Sequence, residues 1–179
     1  MKSSVYLPFV LLIAFSQSAF ADMFVGAGGG KTKFSIDYET TPSIFFDDNV
    51  NNGRILFGYA FKKNENLVRF ETAYNYYGEW NPNNTKDKLT SFSLSWTPYI
   101  ELSSGTYLVG KVGAFWWNSD FSGDEKIIES QGTDGVDYFY GVGIETQLVD
   151  KLSLRADFER HDIDYLQFDT MTIALIVKF

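Results

Sequence analysis

The sequence has no cysteine and only one histidine in 179 residues. Without cysteine the fold has no disulfide bond, thiolate metal site or cysteine nucleophile, and a single histidine argues against ordinary zinc chemistry. Positive charge is also scarce, because 15 Lys and Arg face 23 Asp and Glu and give a formal net charge of −8. Nucleic-acid binding needs clustered Lys and Arg to neutralise phosphates. We therefore expect no nucleic-acid partner and no cofactor.

Long apolar runs are missing too, apart from residues 5–15 near the N-terminus. Ala19-Phe20-Ala21 follows this run and has the small-x-small pattern that signal peptidases cleave. The run is shorter than the ~20 residues of a spanning helix, and Pro8 interrupts it, so an N-terminal anchor is the weaker alternative. The sequence predicts a signal peptide over residues 1–21, cleaved after Ala21, and one exported domain over residues 22–179.

Period-two alternation recurs throughout residues 22–179 and indicates β-strands rather than helices. Most of the predicted strands are longer than the roughly five or six residues typical of strands in soluble proteins. Their length suits tilted strands that cross a bilayer. Short polar turns alternate with longer connections at 36–51, 79–86 and 119–134, although the last connection, 163–166, is short. Outer-membrane barrels show this alternation, with the long loops outside. The eight predicted strands are 22–35, 52–62, 67–78, 87–100, 106–118, 135–148, 152–162 and 167–179.

Most strands have one apolar and one polar face, as where Leu154, Ala156 and Phe158 alternate with Arg155 and Asp157. Alternation alone does not say which face is inside, because a soluble ligand-carrying barrel would bury the apolar face. Four glycines lie on the charged face: Gly58, Gly113, Gly141 and Gly143. They favour the orientation in which the charged face points into the barrel, since small residues make room in a narrow lumen. Aromatic residues of the apolar face near strand ends suggest an interfacial girdle; they are Tyr74, Tyr76, Trp96, Trp116, Tyr138 and Tyr140.

Four parts of the sequence carry a family pattern: the glycine-rich strand at 24–30, the stretches 141–145 and 150–155, and the ending Ile176-Val177-Lys178-Phe179. In these parts the chain resembles the OmpA-like eight-stranded outer-membrane β-barrel family. The resemblance implies an all-β, antiparallel, up-and-down transmembrane barrel in the bacterial outer membrane. It also implies that Phe179 is the assembly signal. The expected partners are outer-membrane lipid, lipopolysaccharide, periplasmic chaperones and the barrel-assembly machinery. The peptidoglycan-binding domain of longer family members is not expected.

The charged face also predicts a set of residues in the lumen. Buried charges are tolerated when they are paired or wet, and the resemblance implies that Glu71 and Glu145 meet Lys111 and Arg155 and close the lumen. A structural network is the favoured interpretation, and a network that gates a low-conductance pore stays open as the alternative. The predicted lumen residues are Arg54, Arg69, Glu71, Lys111, Glu145, Arg155, Asp157 and Glu159.

The predicted function is structural and surface-exposed: envelope integrity, adhesion, or contact with a host-surface or phage ligand through the loops. A small gated pore is the alternative, and a lipid-modifying enzyme is a distant one. We do not expect an enzyme, because His161 is predicted to be a surface residue at the barrel rim and no nucleophile is indicated for it. Acidic loop residues could bind a divalent cation, but they lack EF-hand spacing and solvation is favoured. They are Asp37, Glu39, Asp47, Asp48, Asp120, Asp124, Glu125, Glu129 and Asp134.

Overall fold

A computed structural model describes residues 21–36, 49–63, 66–80, 86–122, 134–163 and 166–179. Each strand pairs antiparallel with the next, and β8 pairs with β1, so the sheet closes into an up-and-down barrel. The predicted fold class and all eight predicted strands are confirmed, and most strands extend a few residues further. Among the described residues, no helix is long and apolar enough to span a membrane. The strands are β1 (Ala21–Ile36), β2 (Asn49–Lys63), β3 (Asn66–Trp80), β4 (Lys86–Ser103), β5 (Thr106–Ser122), β6 (Asp134–Val149), β7 (Leu152–Ile163) and β8 (Leu166–Lys178).

The two ends of the barrel differ in their connections. At the turn end, two residues join β4 to β5 and two join β6 to β7, and the Phe179 N–H donates to the Met23 carbonyl at 2.8 Å. Gly105 adopts a φ of 78° in the first of these turns, a left-handed conformation that favours glycine. At the loop end, residues 37–48, 81–85 and 123–133 connect the strands and lie outside the described residues.

The strand register determines how strongly the strands tilt. A row of directly paired residues starts at Phe34 of β1 and passes through each of the other seven strands in turn. It returns to β1 at Phe24, ten residues earlier. A stagger of ten over eight strands corresponds to a tilt of about 40° and a backbone radius of about 8 Å. Side chains fill an interior of this size, so the barrel is packed rather than open.

Two glycines on this row accommodate aromatic rings inside the barrel. A Cβ at Gly113 would lie 2.3 Å from the Leu94 carbonyl oxygen and 2.8 Å from Phe139 Cε1, and one at Gly58 would lie 2.6 Å from Phe24 Cζ. These distances are too short for a real Cβ atom, so both positions require glycine. The glycines on the charged face therefore make room for inward side chains, as the sequence indicates.

The apolar face of the sheet points outward. Along β8, Met171 and Ile173 are more than half exposed, whereas Thr170 and Thr172 are at most 3% exposed. The same alternation continues along β6 and β7. Soluble monomers rarely expose such a large continuous apolar surface, whereas a bilayer covers it. The predicted orientation, with charges inside and apolar residues outside, is confirmed.

The outward apolar surface forms a belt with an aromatic edge. At a tilt of about 40°, the outward run of β4 from Phe92 to Leu102 spans about 25 Å along the barrel axis, which matches the apolar band of outer-membrane barrels. Tyr76, Phe92, Trp116 and Tyr138 lie within about 3 Å of one level near the loop end. Trp96 lies about 10 Å below Phe92, in the middle of the belt. Its predicted place in the girdle is therefore wrong.

Candidate functional site: the packed barrel interior

All eight charged residues predicted for the lumen lie inside the barrel, where none is more than 8% exposed. We call Arg54, Arg69, Glu71, Lys111, Glu145, Arg155, Asp157 and Glu159 the charge network. Four of its members are cations and four are anions, so the network is neutral as a whole. It joins side chains from β2, β3, β5, β6 and β7, and buried charges at this density need such mutual compensation.

Nearest the turn end, Arg69 and Glu145 form a bidentate pair. Arg69 Nη1 and Nη2 donate to the two Glu145 carboxylate oxygens at 2.6 and 2.8 Å, which is the fork geometry typical of strong Arg–carboxylate pairs. The guanidinium also lies over the rings of Tyr99 and Phe24, 4.3 and 4.8 Å from their centroids. Lys178 of β8 reaches the same carboxylate, with its Nζ 3.6 Å from Glu145 Oε1.

In the middle of the network, Arg155 binds two carboxylates. Its Nη1 donates to Glu71 Oε2 at 2.7 Å and its Nε donates to Asp157 Oδ2 at 2.9 Å. Lys111 Nζ lies 3.4 Å from Glu71 Oε1. Glu71 therefore meets both Lys111 and Arg155, as the resemblance implies. Glu145 does not form an ion pair with either of them and pairs with Arg69 instead.

Nearer the loop end, Arg54 and Glu159 form the third part of the network. Arg54 Nη1 donates to Glu159 Oε1 at 2.7 Å, and Nη2 bonds to the other oxygen of the same carboxylate. Arg54 Nε donates to Asn75 Oδ1 at 2.7 Å. Lys111 Nζ donates to Glu159 Oε1 at 2.9 Å, so Lys111 bridges this part to Glu71. Toward the turn end, Arg155 Nη1 and Arg69 Nη1 both donate to the Tyr99 hydroxyl, so the interactions run without a break through the lumen.

Beyond the network, the interior at the loop end is apolar, a feature that the alternation of the strands did not predict. Phe115 and Phe139 are at most 1% exposed and lie on the inward register of β5 and β6, which also carries Gly113 and Gly141. That shared register was the signal available in the sequence. Every strand contributes at least one side chain to this cluster, which we call the apolar plug: Phe34, Val50, Tyr77, Leu89, Phe115, Trp117, Phe139, Ile163 and Phe168.

His161 is enclosed by the apolar plug and is 0% exposed. Its ring stacks on Phe168 at 4.6 Å and on Phe139 at 5.0 Å, and Nε2 lies 3.4 Å from Glu159 Oε2. The prediction of a surface histidine at the rim is wrong, because residue 161 falls on the inward register of β7, two positions beyond Glu159, and the apolar plug covers it. Within the described part of the chain, neither ring nitrogen has a hydrogen-bond partner.

Most of the acidic residues considered as cation ligands lie outside the described residues. Asp120 belongs to β5 and Asp134 to β6. Over the ranges that the structure describes, no three His, Cys, Asp or Glu side chains form a group that could hold a metal ion. The structure therefore adds nothing in favour of the cation hypothesis.

A closed antiparallel barrel with an outward apolar belt and a packed polar lumen is the architecture of an outer-membrane β-barrel. The chain belongs to the outer membrane protein beta-barrel domain family, whose model matches residues 7–179. It is accordingly a protein of the bacterial outer membrane. The resemblance to the eight-stranded barrels noted from the sequence is confirmed.

Solved structures show the same fold at low sequence identity. Neisserial surface protein A matches with a TM-score of 0.65 at 19% identity, covering 89% of this chain and 99% of that one. A second match is the structure of Ail, the attachment invasion locus protein of Yersinia pestis, in complex with the heparin analogue sucrose octasulfate. Its TM-score is 0.62 at 16% identity, with the same coverage. The N-terminal β-barrel domain of OprF from Pseudomonas aeruginosa matches with a TM-score of 0.54 at 14% identity, covering 87% of this chain and 97% of that one. A search of curated proteins gave no match.

Proposed function

We propose that this protein is a closed, non-enzymatic scaffold of the outer membrane that presents its long connections at the cell surface. The packed lumen carries this proposal, since the charge network and the apolar plug together fill the barrel from the turn end to the loop end. An interior that the described side chains fill suits a role in envelope integrity and surface contact. In this proposal the loop end faces outside, as in outer-membrane barrels generally.

Export and assembly are parts of the same proposal. Residues 1–21 act as a signal peptide cleaved after Ala21, and periplasmic chaperones and the barrel-assembly machinery receive the chain. Phe179 acts as the assembly signal. Its side chain is outward and 69% exposed, and its backbone is already bonded to β1 through Met23. These features leave the Phe179 ring accessible at the turn end.

The charge of the long connections indicates which kind of surface partner the protein would bind. The sequence of the first and third long connections is strongly acidic, with seven of the acidic residues named above within 37–48 and 123–133. Ail was crystallised with a sulfated heparin analogue, but acidic loops would repel such an anion. We therefore expect a host-surface or phage protein with a positively charged contact surface.

Replacing residues 37–48 and 123–133 by short Gly-Ser connections tests the surface role. Cells carrying this variant should lose adherence, serum survival or phage sensitivity, while the barrel keeps its heat-modifiable gel mobility. A matched replacement of residues 150–151 at the turn end by Gly-Ser should leave these properties unchanged. Equal performance of the loop variant and the unmodified protein in all three assays would contradict the surface role.

A gated pore is the second candidate, and Lys111 is the observation that favours it. This single ammonium bridges Glu71 and Glu159, so an exchange of partners would rearrange the centre of the lumen. Opening would also require displacement of the apolar plug. We expect the purified protein to show no steady conductance in planar bilayers. Discrete openings that change in frequency in a Lys111→Met variant, but not in a Lys151→Met control at the turn end, would establish the pore instead.

A further inference from the structure

The interior holds one side chain of the type that ordinarily changes its charge between about pH 5 and pH 8. His161 is the only histidine in the sequence, and it lies inside the barrel among the aromatic rings of the apolar plug. A proton taken up by this ring would place a charge in a closed interior. The surroundings of the ring therefore determine how the barrel responds to mild acid.

Carbon rings enclose the imidazole of His161. Phe139 of β6 and Phe168 of β8 stack on its two faces, with ring centroids 5.0 and 4.6 Å away. Tyr77 of β3 and Phe115 of β5 stand at steep angles to it, with ring centroids 5.1 and 5.0 Å away. A neutral imidazole fits such an enclosure. An imidazolium would lose its water there without gaining hydrogen bonds in exchange, since both ring nitrogens lack a partner among the described residues.

Glu159 supplies a counter-charge that other cations already bind. Its Oε2 lies 3.4 Å from His161 Nε2, which is longer than a normal hydrogen bond between nitrogen and oxygen. Arg54 of β2 binds both oxygens of this carboxylate, and Lys111 of β5 binds one of them. The charge network is neutral without His161, so a proton on the ring would leave one positive charge in excess.

The other strands packed against the ring supply no free acid from their described residues. Asp137 of β6 is partly exposed and accepts a hydrogen bond from the Trp117 indole N–H at 2.7 Å. Tyr77 of β3 is hydrogen-bonded to a serine hydroxyl of β4 at 2.9 Å. On β8 the ring meets Phe168, which does not titrate. The extra positive charge would therefore stay uncompensated while the apolar plug is closed.

A polar cleft beside the apolar plug offers water a route to this site. It contains about 160 Å³ of empty space, part of which is open to solvent. Its lining includes the partly exposed Asn52 and the buried Arg54 and Thr170. Thr170 pairs directly with Glu159, and its buried hydroxyl has no hydrogen-bond partner in the described ranges. Loosening of the plug on this side would bring His161 into contact with water.

We propose that the apolar plug is a pH-sensitive closure, which is shut while His161 is neutral and loosens when the ring takes up a proton in mild acid. In the loosened state the imidazolium reaches water through the polar cleft, while the eight strands stay paired. The charge network still fills the lumen below, so loosening does not by itself form a pore. The inference goes beyond the closed scaffold proposed above, and it depends neither on the surface partner nor on which end faces outside.

The experiment measures how often a thiol beneath the plug becomes accessible. The chain has no cysteine, so Ser93→Cys introduces a single inward thiol at a position that is 4% exposed. The variant is refolded into phosphatidylcholine vesicles and labelled with methyl methanethiosulfonate. Between about pH 7.5 and about pH 5, an imidazole in water goes from about 10% to about 97% protonated. The loosened population, and with it the labelling rate, should therefore rise by up to about 30-fold relative to the control.

His161→Phe in the same Ser93→Cys background is the matched control, because it keeps a ring between Phe139 and Phe168 but cannot titrate. Dividing the two rates at each pH removes the effect of pH on the reagent and on the thiol. If the control does not refold, Ser103→Cys, which is exposed at the turn end, provides the reference rate. A ratio that is constant or falls in acid would overturn the proposal. Labelling that accompanies a loss of heat-modifiable gel mobility would also overturn it, because the strands would then have separated.

Discussion

Arg69→Met will lower the free energy of unfolding by about 3–5 kcal/mol, the cost of leaving a buried carboxylate without its partner. Arg69 and Glu145 are both 0% exposed and joined by two short hydrogen bonds. Removal of the guanidinium leaves Glu145 with the Tyr99 hydroxyl and the more distant Lys178 ammonium. Urea titration of the refolded barrel, followed by heat-modifiable gel mobility, measures the loss.

The double variant Arg69→Met/Glu145→Leu is the control for this effect. Because it removes both charges and keeps apolar volume, it should recover most of the stability that the single variant loses. The Arg155 and Glu71 pair is left intact in both variants. If the single and double variants were equally unstable, the loss would come from packing and not from the unpaired charge.

Ile173→Arg will destabilise the barrel by about 2 kcal/mol because it places a charge inside the hydrocarbon layer. Ile173 is outward, 52% exposed and lies on β8 about 7 Å below the level of Phe92, between the edge and the centre of the belt. The measurement is unfolding of the refolded variant in phospholipid vesicles. Retention of full stability would contradict the membrane-facing assignment of this surface.

Met171→Arg on the same strand is the matched control. It lies two residues nearer the edge of the belt and directly opposite Lys31, so it should cost only about 1 kcal/mol, part of which is repulsion between the two like charges. An inward position is a poorer comparison. Ser93 is 4% exposed and accepts a hydrogen bond from Asn75, so an arginine there would clash with its neighbours. Equal losses at positions 171 and 173 would exclude a depth-dependent cost.

The barrel and its inward charges could be predicted because alternation with period two assigns side chains to faces strand by strand. Arg155, Asp157 and Glu159 lie on one face of β7 whatever the partners are. Which charged side chains pair with one another inside the lumen was harder to predict, because the pairing depends on the stagger of the strands around the barrel. That stagger brings Arg69 of β3 to Glu145 of β6, across the lumen, and no local pattern encodes it.

The apolar plug and His161 show where sequence patterns mislead. Phe139 and Phe168 look like lipid-facing residues when hydrophobicity alone decides the face. Their register makes them inward, because Phe139 pairs with Gly113 and Phe168 pairs with His161. His161 looked exposed because its neighbours Arg160 and Asp162 are charged. Those neighbours are outward residues of the same strand, so a polar local sequence concealed a buried side chain.

The contribution of every strand to the apolar plug also determines how the barrel loses its structure. Separation of any one strand from its neighbours would remove a side chain from the plug and open the interior to water at the loop end. The charge network would then lose its compensation, since its members lie on five strands. No strand pair is therefore an independent unit of stability. Amide hydrogens of all eight strands should exchange through one common opening, as expected for a single cooperative unit.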